Sequence, residues 1–145
     1  MRYRILAVVA VMSCVALPAA VAVAGRSAKV STLKASMRGT GEVGKGSPAG
    51  SGTAVIKLYR SAGKACWTLS VRGLDKTLSA HVHKAATKKT GPVVIPLGAR
   101  FAKKGCVTGL KAKTIDAIVK NPGGYYVNIH TKKYLNGAIR GQLHR

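Results

Sequence analysis

Three of the chain's four histidines fall where alternate residues of a strand would place them: His81 and His83 in "SAHVHK", and His130 in "YYVNIHT". Residues two apart in an extended segment share a face. His81 and His83 therefore offer two imidazoles side by side, and a third from a neighbouring strand would complete a three-nitrogen ligand set for copper or zinc. The fourth position of such a site stays open to water. The same alternation aligns Asn128 with His130, and Arg140 with Gln142 in "GAIRGQL". If these strands are neighbours in one sheet, the six residues form one outward-facing polar patch, in which Asn128 or Gln142 orients the metal-binding imidazoles. A purely structural alternative stands beside this one. The imidazoles then hydrogen-bond to loop carbonyls and to Asn128, and hold the return of the chain after His83.

The elements that must carry these residues are short. "AVIKLYR" alternates Ala54, Ile56 and Leu58 with Lys57 and Tyr59, as a half-buried strand should. "CWTLSVRG" repeats the pattern with Trp67, Leu69 and Val71 inward, and "LSAHVH", "PVVIPL" and "CVTGL" follow. In "LSAHVH" the inward set is Leu78, Ala80 and Val82; in "YYVNIH" it is Tyr125, Val127 and Ile129. "GTGEVGKGSPAGSGT" is too glycine-rich for regular structure and reads as a loop. "TIDAIVKNPGG" spaces Ile115, Ile118 and Val119 for a short helical turn near residues 114–121, stopped by Asn-Pro-Gly-Gly. The closing strands are joined by "KKYLN", whose Asn136-Gly137 step favours a tight turn. Such a series predicts an all-β fold, an antiparallel Greek-key β-sandwich. Its core should be Ile56, Leu58, Trp67, Leu69, Val71, Val82, Val94, Val127, Ile129, Ile139 and Leu143, packed between two sheets.

The first residues carry a different message. Two arginines precede an uncharged run from Ile5 to Ala24 that closes on Ala22-Val23-Ala24, the pattern of a secretory signal peptide cleaved near Ala24. An uncleaved membrane anchor is the competing reading of the same run. Residues 25–32 then form a short polar lead-in and residues 33–145 the domain. Removing residues 1–24 from 145 leaves 121, enough for one domain and one core. Export to an extracellular or periplasmic compartment favours a disulfide between Cys66 and Cys106, since Cys14 leaves with the signal. Closing that loop would stabilise the fold by roughly 3 to 4 kcal/mol.

Only Glu42, Asp75 and Asp116 are acidic, against 25 basic residues, for a net charge of +22. A field of that sign draws polyanions, and anionic cell-surface polymers or lipid headgroups are the partners it suits, in a salt-dependent way. A solubilising role explains the same lysines equally well. Specific nucleic-acid recognition is disfavoured, because Trp67 faces the core and Phe101 is the single phenylalanine, which leaves no platform for stacking bases. Hydrolase chemistry lacks a Gly-x-Ser-x-Gly elbow with a suitable aspartate. A copper/zinc dismutase needs more imidazoles than four histidines supply, together with an aspartate. The residues thus support a non-enzymatic module acting as a monomer, with metal binding as the chemically specific alternative.

The succession "GSGTAVIKLY", "CWTLSVRGL", "AHVHKAATKKTGPVVIPL", "GCVTGL" and "NPGGYYVNIHTKKYLNGAIRGQL" resembles the CHRD domain, a module of chordin and of many secreted bacterial proteins. The resemblance runs from about Leu33 to Leu143. It implies a secreted β-sandwich of immunoglobulin-like or superoxide-dismutase-like character. It implies no catalytic residues, and a shared fold does not carry a function with it.

Overall fold

The computed structural model describes residues 30–145. The expectations for the signal peptide and for most of the polar lead-in lie outside those residues. Eight strands form one antiparallel, nearly closed sheet: β1 (Val30–Arg38), β2 (Ser51–Tyr59), β3 (Lys64–Arg72), β4 (Thr77–Lys84), β5 (Val93–Pro96), β6 (Lys104–Val107), β7 (Tyr125–Thr131) and β8 (Ile139–Gln142). Their order is β5-β4-β7-β8-β1-β2-β3-β6. The all-β expectation holds. β1 starts inside the segment read as lead-in, and the two halves of the sandwich are one continuous order rather than two separate sheets. The join is sparse, one register pair between Arg38 and Arg140 and a bridge between Lys34 and His144. That seam lets the β1-β2-β3-β6 half fold over the β5-β4-β7-β8 half.

Alternation explains the interior. Leu33, Ile56, Leu58, Trp67 and Leu69 from one half meet Val82, Ile95, Val127, Ile129 and Ile139 from the other in a single apolar cluster. Each is apolar on the inward phase of its strand, so burying them removes a continuous stripe from water. Val71 and Val94, expected within the core, lie partly buried at its margin. Leu78, expected inward, is 37% exposed. The β4–β7 register shifts between Thr77 and Ser79, which breaks the phase that would have turned Leu78 in. Trp67 is buried and donates its Nε1–H to the Ala102 carbonyl at 2.9 Å.

The expected helical turn is a nine-residue helix, α1 (Ala112–Lys120), which seals one end with Ile115 and Ile118. Cys66 and Cys106 face each other across β3 and β6, their Cα atoms 4.0 Å apart, and form the expected disulfide. Its place is the outer face, where it ties the edge strand β6 to its neighbour.

Candidate metal centre

The β4-β7-β8 part of the sheet carries polar residues on its outer phase, in register. One row is His83, Tyr126 and Gln142; the next is His81, Asn128 and Arg140; beyond them Ser79 pairs with His130. Strand alternation thus brings all six expected residues to one face.

That face is covered, which corrects the expectation that it looks outward. Asn128 and Arg140 are each 3% exposed, Tyr126 is 4% exposed, and the three histidines are intermediate. Two loops lie over it. The β4–β5 loop closes with Lys84 N–H on the Pro92 carbonyl, and the guanidinium of Arg140 donates to the Ala86 and Lys89 carbonyls, each at 2.8 Å. Gln142 donates to the carbonyls of Ala85 and Gly123. The loop after β1 brings in Glu42, whose carboxylate accepts from Asn128 Nδ2 at 2.6 Å, and Lys88 ties the two loops together through the Thr40 and Glu42 carbonyls. Tyr126 fills the middle, with His83 stacked at 4.8 Å from the β4 side and the Arg140 guanidinium 3.3 Å from its ring centroid from the β8 side.

Asn128 and Gln142 make no hydrogen bond to a histidine, so the orienting role expected of them passes to the backbone. His83 Nδ1 lies 2.9 Å from the Gly91 carbonyl, and His130 Nδ1 lies 2.8 Å from the Leu135 carbonyl. A carbonyl only accepts, so in each ring Nδ1 carries the proton and the neutral imidazole keeps its lone pair on Nε2. Those two Nε2 atoms and His81 Nδ1 are buried and have no hydrogen-bond partner. The three residues offer ligand atoms that all lie within 4.8 Å of one another.

Electrostatics keep two of these lone pairs free, those of His81 and His83. Burial pushes His81 down to about 4, with the neighbouring His130 and His83 adding to it. His83 is lowered too, by burial first, against the opposing pull of the Gly91 carbonyl. The His81 and His83 rings therefore stay neutral at physiological pH, as metal coordination demands. Tetrahedral zinc with nitrogens at 2.0–2.1 Å sets them about 3.4 Å apart. Ring rotations that drew the nitrogens together by up to about 1.4 Å would complete the set.

Sequence reasoning missed Glu42, which is 6% exposed beside Asn128. Burial pushes its carboxyl up to about 7, in spite of Arg140, the Asn128 amide and Lys88, which all pull it down. The signal was a lone acid inside a glycine-rich loop of a very basic chain. Gly137 belongs to the same corner. Its φ is +136°, and a Cβ there would meet Asn128 Nδ2 at 2.5 Å and the Glu42 carboxyl carbon at 2.7 Å.

In comparisons with known proteins, residues 33–143 match the family model described as the CHRD domain. No curated protein and no solved structure matches the chain.

Proposed function

The chain belongs to the CHRD domain family, and from that premise we propose that it is an exported, non-enzymatic module, at the cell surface or outside the cell, that binds a divalent copper or zinc ion. One observation carries the reading: three unpartnered, buried nitrogens of half-buried imidazoles converge, two of them fixed as lone pairs by backbone carbonyls on the far side of the ring. A purely structural histidine cluster would spend those nitrogens on hydrogen bonds, because leaving a buried polar atom unpaired costs about 1 to 3 kcal/mol each. A metal repays that cost in one step. His81, His83 and His130 would be the ligands, and the carbonyls of Gly91 and Leu135 would hold two of the rings in place.

The site is an anchor for the ion rather than a reaction centre. Among the described residues, no acidic side chain or cysteine joins the three imidazoles as a ligand, and Glu42 is committed to Asn128. Calorimetric titration of copper and zinc into untagged protein is the test, repeated on His81→Ala, His83→Ala and His130→Ala, with His144→Ala as the control on an exposed imidazole. Each ligand variant should lose more than the 10- to 100-fold that removing an outer partner costs, and the control should bind as the parent does. Equal binding by all the proteins, or none by any, removes the proposal.

A further inference from the structure

The two outer faces of the sheet have opposite fates. The β4-β7-β8 face lies under loops, whereas on β1, β2 and β3 the outward residues stay open along the strands. Register sets them in rows: Arg38, Ser51 and Arg72; then Ser36, Thr53 and Ser70; then Lys34, Val55 and Thr68; then Thr32 and Lys57. Successive rows are about 6.7 Å apart. The first two rows line a hollow of about 350 Å³. A second hollow, of about 340 Å³, shares Ser36 and Arg38 and crosses the β1–β8 seam to Lys88.

We propose that this open face binds an extended polyol-phosphate polymer, laid along the strands with its phosphates on Arg38 and Arg72 and its hydroxyls against the Ser and Thr rows. The proposal stands apart from the metal site and shares none of its ligands.

Charge comes first. None of the chain's three acidic side chains serves this face: Glu42 is buried against Asn128, Asp75 accepts the Lys133 backbone N–H, and Asp116 pairs with Arg60. Arg38 and Arg72 flank Ser51 in one row, so two planar forks converge on one hollow, and a guanidinium fork matches the oxygens of a phosphate better than a lysine does. The hydroxyl rows suit ester and alcohol oxygens. Further cations, Lys34 and Lys57, stand two and three rows along, roughly 13 and 20 Å from the arginines. A lone phosphate would reach one row, whereas a chain of diesters reaches them all.

Competing polyanions fit less well. Nucleic acid wants aromatic platforms, and the aromatic ring in these rows is Tyr59, paired with Val30 at the far end. A lipid surface wants protruding apolar side chains, and within the hollow the residues are polar apart from Met37 and Gly52.

The probe is poly(glycerol phosphate), and the protein is the full exported chain. Arg38→Gln/Arg72→Gln is compared with Lys113→Gln/Lys120→Gln, which removes the same charge from α1, each variant first shown to unfold at the parent's temperature. The face variant should bind at least about tenfold more weakly. Its salt dependence, log K against log salt, should be shallower by about 1.4, since two contacts to a single strand are lost at about 0.7 each. The α1 variant should change less than about threefold. Ser70→Asp, which sets a carboxylate in the hydroxyl row against the phosphates, should weaken binding by a similar tenfold. Equal losses in the two double variants would show a diffuse field and overturn the proposal. Tighter binding per phosphate to phosphatidylglycerol vesicles or to single-stranded DNA would overturn it too, in favour of a membrane or a nucleic acid.

Discussion

Replacing Glu42 by Gln should stabilise the domain at neutral pH and leave it nearly unchanged in acid. The carboxyl is 6% exposed, and burial raises its pKa from 4.5 to about 7 in the fold. A raised carboxylate binds its proton more tightly folded than unfolded, so its contribution is fully present below about pH 4.5 and is lost as pH climbs to about 7. At 1.36 kcal/mol per unit, that rise sets a ceiling of about 3 kcal/mol on the loss. Glutamine keeps the acceptor for Asn128 Nδ2 and has no charge to bury. That ceiling is already net of the attraction of Arg140 and Lys88, and with solvent screening at the partly open corner the expected gain at about pH 8 is roughly 2 kcal/mol, or near 8 °C in Tm at roughly 4 °C per kcal/mol for a domain of this size. His81 and His83 act in the opposite direction, their depressed pKa values removing stability as pH falls below about 6.5. The variant should therefore show a steeper loss of Tm on acidification than the parent. Thermal unfolding followed by the single tryptophan, Trp67, with chelator present and the disulfide intact, reads both curves. A variant less stable than the parent by the same amount at every pH would refute the reasoning, because it would mean that Glu42 is ionised throughout and works as an ion-pair partner of Arg140.

Trp67→Ala should cost about 3 to 5 kcal/mol in denaturant unfolding, since the ring is buried and its N–H is bonded to Ala102; an unchanged midpoint would show that it is not part of the core. Gly137→Ala should lower Tm and release the Glu42–Asn128 contact, because an L residue at φ +136° is strained and its Cβ has no room; a neutral effect would show that the turn relaxes freely. Reducing the Cys66–Cys106 bridge should cost up to about 4 kcal/mol in the same assay, the loop spanning 40 residues. Arg140→Met should cost at least about 3 kcal/mol and expose the 85–92 loop to proteolysis, because the Ala86 and Lys89 carbonyls lose their donor.

Much of the fold could be read from two-residue alternation. Ile56, Leu58, Trp67, Leu69, Val82, Val127 and Ile129 declare their side by the polar neighbours between them, and the same phase puts His81, His83 and His130 together. Burial of the second face could not be read that way. Alternation says which residues share a face, but the cover over Asn128 and Arg140 comes from loops far away in sequence, tied on by Arg140, Gln142 and Lys88. Glu42 escaped for the same reason: a glycine-rich stretch has no period, and its one acid finds Asn128 across 86 residues. Leu78 failed locally instead, since a register shift inside a strand leaves no mark in residue type. The seam had no signature either, one Arg38–Arg140 pair and one Lys34–His144 bridge being too little pairing to write a pattern.

A sheet that does not close has two ends, and an unpaired strand edge invites a second copy to add itself there. In this fold both ends belong to four-residue strands, β5 and β6. β5 runs between Pro92 and Pro96, neither of which has an N–H to offer an incoming strand. β6 opens on Lys104, follows directly on Lys103, and is bolted to β3 by the disulfide, so it cannot slide or peel to make room. A newcomer would find few backbone groups to pair with and a row of like charges to approach. Both ends of the sheet are thus kept short and guarded, and the fold can rest on strand pairing without offering a second copy a long free edge.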